Sequence, residues 1–315
     1  MVLLAAKVAL AQQLPSASQV MTEMGLPADA AKRVLAGEFV STNITPVSDR
    51  DLSIALAFLV KTSPAELGKQ VAAGDLAAAD PQIKARGALK GAGSVADLAQ
   101  LKISDATAKK FAGAKAGSAL NLSTAEIAAF AAAGPSGAND QLRQMLLKRY
   151  QSYSASGLAG IPKYDRGGSS ADPAADLRLA TEASKGLEKY APAFQKVLAG
   201  YPGAKPPGLT ENFYWVAYDI SGEPTYVLNH TMTAPDGDAV VVLQRQYYVS
   251  SGYNAVQAVV GFLPVTEGTV VLYTTHTFTE QVAGFGGGTK RSIGRGMMEK
   301  QLETIFKRAQ KIVQH

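Results

Sequence analysis

The chain has 315 residues, 47% of them hydrophobic and 18% charged, enough apolar surface to offset the entropy of ordering and to exclude a disordered protein. It contains no Cys and three His, which rules out disulfides, a thiolate nucleophile and a zinc–thiolate site. The net charge of +5 sits in one place: Lys290 to His315 holds seven basic and two acidic residues, and the remaining 24 of each sign cancel.

Residues 1–11, ending Ala9-Leu10-Ala11 before Gln12-Gln13, read either as the end of a secretory signal or as an ordinary first helix. The signal reading implies a periplasmic or secreted protein and the helix reading a cytoplasmic one. No apolar run approaches the roughly 18 residues needed to span a bilayer. Residues 14 to 37 form two short helices released by Gly25 and Gly37, so 1–37 is an N-terminal helical segment.

The pattern then turns to strand in Glu38 to Ile44 and Asp51 to Val60. Ser63-Pro64-Ala65-Glu66 is a capping box with Pro at the first helical position, predicting a helix to about Ala73, and Pro81 to Lys90 adds a further strand. Residues 38–94 thus supply the first strands and one helix of a sheet domain.

Residues 95–208 read as a helical insertion. Ser123 and Glu126 form a second capping box, Gly134-Pro135 stops that helix, and Leu142, Met145, Leu146, Tyr150 and Tyr153 recur on one face of the next. Asp172-Pro173 opens a helix that bends or ends before Pro192, and Gly200 to Gly208 is a linker. From 209 to 315 the signal is β and then helix. Phe213 to Ile220, Thr225 to Thr233, Asp238 to Val249, Ala255 to Phe262 and Thr269 to Thr279 are five strands separated by turn residues, hence antiparallel. After the glycine-rich 284–288 comes a helix with Ile293, Met297, Leu302, Ile305, Phe306, Ala309, Ile312 and Val313 on one stripe. The fold class is therefore α+β: an antiparallel curved sheet packed by a long C-terminal amphipathic helix, with helical N-terminal and middle segments.

Leu52 to Val60 followed by Ser63-Pro64-Ala65-Glu66, then the strands from Phe213 to Thr279 and the helix from Ser292 onward, resemble the helix-grip architecture of the START and Bet v 1-like families. In that pattern the last helix lies across a curved sheet and encloses an apolar cavity for lipids or other hydrophobic ligands. The resemblance covers about half the chain in two blocks and implies a binding or transport role, not a particular ligand.

Catalytic signatures are sparse. There is no HxxxH or HExxH spacing and no GxSxG elbow, and no cofactor motif is present. Thr289 stands where a Walker A loop or a dinucleotide fingerprint needs Gly, so Gly284, Gly286, Gly287 and Gly288 are read as a hinge for the terminal helix. Alternation puts Leu243, Arg245 and Tyr247 on one face, with Val240, Val242, Gln244, Gln246 and Tyr248 on the other. His230 and His276 fall on the matching face of their own strands. The ligand-binding set expected from this is Arg245, His230, His276, Tyr247 and Leu243, completed by Met297 and Phe306 on the terminal helix, with a solvent-facing reading of the polar members left open.

The partner expected is a hydrophobic small molecule. The basic helix suggests an anionic membrane surface, or simply a solvated polar face. Nucleic acid is not expected, because no aromatic and basic alternation marks a stacking surface. The alternatives are an enzyme of helix-grip architecture acting on an apolar substrate, and a structural or assembly subunit.

Overall fold

The computed structural model describes residues 14–73, 80–203, 205–220, 222–284 and 286–313. The signal-or-helix segment 1–11 and Phe285 lie outside the described residues, as do the side chains of Ala309, Ile312 and Val313. Eight strands form one antiparallel curved sheet, and eight helices accompany it among the described residues.

In chain order these are α1 (Ala17–Glu23), α2 (Ala28–Leu35), β1 (Val40–Thr42), β2 (Asp51–Val60), α3 (Pro64–Ala73), β3 (Ile83–Leu89), α4 (Asp105–Ala112) and α5 (Thr124–Ser156). A two-stranded ribbon follows, β4 (Tyr164–Asp165) with β5 (Ser170–Ala171), then α6 (Pro173–Ala183) and α7 (Pro192–Gly200). The five long strands β6 (Thr210–Ile220), β7 (Glu223–Asp236), β8 (Ala239–Val249), β9 (Ala255–Val265) and β10 (Gly268–Phe278) precede α8 (Gly287–Val313). The order across the sheet is β1-β2-β10-β9-β8-β7-β6-β3. β2 and β3, neighbours in sequence, therefore stand far apart, joined by the chain that carries α3. No described helix is long and apolar enough to cross a membrane.

Each face of the sheet has its own cover. Odd-numbered residues of β8 such as Val241 and Leu243 meet Phe194, Val197 and Leu198 of α7. On the same face Tyr226, Leu228 and Trp215 meet the Leu142, Met145, Leu146 and Tyr153 stripe of α5, while Val270 and Leu272 meet α1 and α2. On the opposite face Leu56, Phe58, Val240, Val242, Phe262 and Val271 gather with Leu67 of α3, and Phe306 of α8 joins them.

Two sequence expectations change locally. β8 pairs Leu228 with Tyr248 and Asn229 with Gln246, leaving Tyr247 as an extra residue. This bulge turns Tyr247 and Tyr248 to the same side, both in the cluster with α5, so Tyr248 does not share the face of Gln246. Gly287 and Gly288 belong to the first turn of α8, leaving Gly284 (φ 71) and Gly286 (φ 73) as the left-handed positions before it.

At Gly134 the backbone takes φ 64 and ψ −179, which only Gly adopts without strain. The first helical piece of α5 stops there as expected, and a second runs on from Pro135 to Ser156. Its start is a reciprocal cap. Ser123 Oγ accepts the Glu126 N–H at 3.4 Å, and Glu126 Oε2 accepts the Ser123 N–H at 2.7 Å. Arg149, from the second piece, holds the same carboxylate through Nε at 2.8 Å and Nη2 at 2.6 Å. Ser123→Ala is expected to lower the unfolding free energy by about 1 kcal/mol, read from the urea midpoint at constant slope.

Candidate ligand cavity between the sheet and the C-terminal helix

A cavity of about 330 Å³ lies between the α3 and α8 side of the sheet and those two helices. Its size falls at the lower end of the range for small-molecule sites. The floor follows from strand pairing, since directly opposed residues share a face. One pair of rows is apolar: Val242–Val260–Tyr273 and Phe262–Val271–Phe58 run across β8, β9, β10 and β2. The adjoining rows are polar: Asn212–Thr231–Gln244 and Tyr214–Asn229–Gln246 run across β6, β7 and β8.

The roof is mostly apolar. Leu67, Gln70 and Val71 of α3 and Gln301, Leu302, Ile305 and Phe306 of α8 line it. Phe306 stands over the apolar half, its ring centroid 5.3 Å from Phe58 and 5.3 Å from Tyr273. α8 is also tied down at its start by Arg295 Nε, which donates to the Ser53 carbonyl at 3.1 Å. Gln301 Nε2 donates to Gln82 Oε1 at 2.8 Å near β3.

Two amide oxygens on this cavity lack a protein partner, Asn229 Oδ1 and Gln70 Oε1. Asn229 is only 4% exposed, and its side chain lies beside the Tyr218 hydroxyl. A buried carbonyl left without a donor costs about 1–3 kcal/mol. Asp80 and Arg86 line the β3 side, one charge of each sign. Asp80 Oδ1 accepts the Gln82 N–H at 2.9 Å, and Arg86 is engaged in an interaction of its own.

Of the expected ligand-binding residues, Phe306 lines this cavity. Met297 is 68% exposed on the outer side of α8 and does not. Arg245, His230, His276, Tyr247 and Leu243 do share one face, but it is the face covered by α1, α2 and α5 to α7, across the sheet from the cavity. The clusters with α1, α2, α5 and α7 lie on that face, and Leu67 of α3 with Phe306 of α8 lies on the other. Their common pocket with Met297 and Phe306 is therefore corrected. Asn229, Gln244, Phe58 and Phe262 take their place. Alternation had put Gln244 with Val242, and Asn229 follows as the neighbour of His230.

The row His230–Arg245–Gln257–His276 runs straight across β7 to β10 and is sealed. Arg245 donates from Nε and Nη2 to Gln257 Oε1 at 3.0 and 2.7 Å, from Nη2 to Thr181 Oγ1 at 3.3 Å and from Nη1 to the Tyr153 hydroxyl at 3.1 Å. With its oxygen accepting from Arg245, Tyr153 is free to donate to His230 Nδ1, 2.9 Å away. The imidazole proton is thereby assigned to Nε2, which stands 2.9 Å from Glu211 Oε1. That approach falls outside hydrogen-bond alignment, so the pairing is electrostatic first.

Burial pushes the His230 imidazole down to about 4, with Glu211 opposing. Burial also works to raise Glu211, but His230, Lys205 and Tyr201 outweigh it and hold the carboxyl at about 2. The relay Arg245–Tyr153–His230–Glu211 thus links a buried cation to a carboxylate at the edge of the sheet. Further along the row, His276 Nδ1 sits 2.9 Å from Asp51 Oδ2, which also accepts the Val47 N–H at 2.9 Å.

A second, shallower cleft of about 170 Å³ is lined by Asn121, Arg166, Asn254 and Glu280. Its polar groups already bind one another: Arg166 Nη2 donates to Asn121 Oδ1 at 2.6 Å and to Asn254 Oδ1 at 3.0 Å, and Asn254 Nδ2 to Glu280 Oε1 at 2.8 Å. The larger cavity is therefore the better candidate site. No protein-family model, no curated protein and no solved structure matches the chain.

Proposed function

We propose that this chain is a helix-grip binding protein that encloses a small hydrophobic molecule between its curved sheet and α8. The observation that supports this most is the cavity of about 330 Å³ floored by Val242, Val260, Phe262 and Phe58 and roofed by Phe306. Burial of a ligand's apolar body there is worth about 25 cal/mol per Å² of surface removed from water. On this reading α8 is the amphipathic cover of the sheet, and the left-handed Gly284 and Gly286 before it let it lift and reseat.

The outer side of α8 supports a place of loading. Ile293 (63% exposed) and Met297 stand in water beside the exposed cations Lys290 and Lys300, a combination that suits the surface of an anionic bilayer.

Val260→Trp tests the reading by filling the cavity. The wild type should take up the small neutral dye 1-aminonaphthalene, and the variant should bind it at least about tenfold more weakly, a loss of about 1.4 kcal/mol, while its urea midpoint moves little. Equal uptake by both proteins, or none by the wild type, would count against the cavity as a binding site. Comparing native with denatured mass, and extracting what is released, would give the ligand class directly.

A further inference from the structure

We infer that the molecule this cavity takes is a compact or single-tailed amphiphile whose polar end is uncharged and donates a hydrogen bond. This rests on the reading of the cavity as a binding site. The floor is divided along the strands: its apolar rows span β8 to β10 and β2, and its polar rows span β6 to β8. Phe306 stands over the apolar half, whereas Gln244 in the polar half is exposed, so the head end meets water.

The polar rows hold Asn212, Asn229, Thr231, Gln244 and Gln246, all neutral, which gives a charged head nothing to pair with. Arg86 and Asp80 at the β3 side add one charge of each sign, so the lining carries no net charge. The sign of the hydrogen bond comes from Asn229. Its side chain is buried beside Tyr218, and among the described residues its Oδ1, on the cavity wall, has an acceptor's lone pairs and no donor. Gln70 Oε1 on the roof is a second acceptor without a donor among the described residues. A hydroxyl or N–H on the ligand satisfies such an oxygen; an ether, an ester or a carboxylate does not.

Volume limits the rest. Taking a water's share of liquid volume, about 30 Å³, as a rough size per heavy atom, the cavity of about 330 Å³ holds on the order of a dozen, which suits one short chain or a small ring system.

The test is displacement of 1-aminonaphthalene by decan-1-ol, 1-methoxydecane and decanoate, which share a tail and differ in head. The wild type should prefer decan-1-ol over each of the others by about fivefold to tenfold, and Asn229→Leu should erase its preference over 1-methoxydecane while decanoate stays the weakest of the three. Equal displacement by the three probes, or a preference for decan-1-ol over 1-methoxydecane that survives in Asn229→Leu, overturns the inference and leaves the cavity reading standing. Failure of the dye and of every probe to bind overturns both. Should Asn229→Leu not fold, the wild-type series still decides, because equal affinities there are sufficient to refute it.

Discussion

Arg245→Ala should be the most damaging single substitution outside the cavity, lowering the unfolding free energy by about 3–5 kcal/mol. Among the described residues no carboxylate touches Arg245, and its charge is stabilised by an assembled set of oxygens from Gln257, Thr181 and Tyr153. Truncation leaves those groups buried and short of a donor, and opens a void between β8 and the helices above it. Tyr153 also loses the hydrogen bond that fixes which way its proton points, so the His230 contact loosens with it. Arg245→Met fills most of the void and should cost visibly less than Arg245→Ala. Urea unfolding of the three proteins at equal slope measures this. A cost below 1 kcal/mol for the Ala variant would mean that the polar row does not help hold the helical layer on the sheet.

The same residues show how far the sequence could be read. Five strands and their antiparallel pairing are visible from the turn residues between them, and the facing of His230, Arg245 and His276 follows from period-two alternation alone. Which side of the sheet forms the cavity does not follow, because it depends on which helices dock on each face. The Leu142 to Tyr153 stripe could be seen as an apolar face, but nothing local says it docks on Tyr226, Leu228 and Tyr247. Tyr153 looked like one more core residue on that stripe, although its hydroxyl joins Arg245 to His230.

The bulge at Tyr247 was equally invisible, since an extra residue in one strand is defined only by its partner. The cavity's own residues were half legible. Gln244 and Gln246 could be placed opposite Arg245 by alternation, but they attract notice only once Asn212 and Asn229 are seen beside them on β6 and β7. Polar residues in separate strands become a site through register, which is a tertiary fact.

Acidification gives the sharpest test of the sealed row. His230 has its pKa held at about 4 against an ordinary 6.5, so below pH 6.5 the unfolded chain takes up a proton that the folded one refuses. Its contribution to stability is full above 6.5 and is lost as pH falls through 4. Asp176 acts in the opposite sense. Burial pushes it up to about 6 from 3.8, against the pull of Arg50, so its contribution is present below 3.8 and is lost as pH rises through 6. Glu211, held at about 2, follows the sense of His230 but in a lower window, below its ordinary 4.5. Between pH 7 and pH 4.5 the first two each amount to about 2 kcal/mol and nearly cancel, so the wild type should change little on their account. Removing either one exposes the other. His230→Gln should become more stable relative to wild type by about 2 kcal/mol as pH falls over that range, and Asp176→Asn less stable by about the same amount. Urea midpoints across the range, taken as differences from wild type, cancel the other titrating groups. Parallel curves for His230→Gln and wild type would mean that the imidazole takes up its proton in the ordinary range, and that the row from β7 to β10 is open to water rather than sealed beneath the helices.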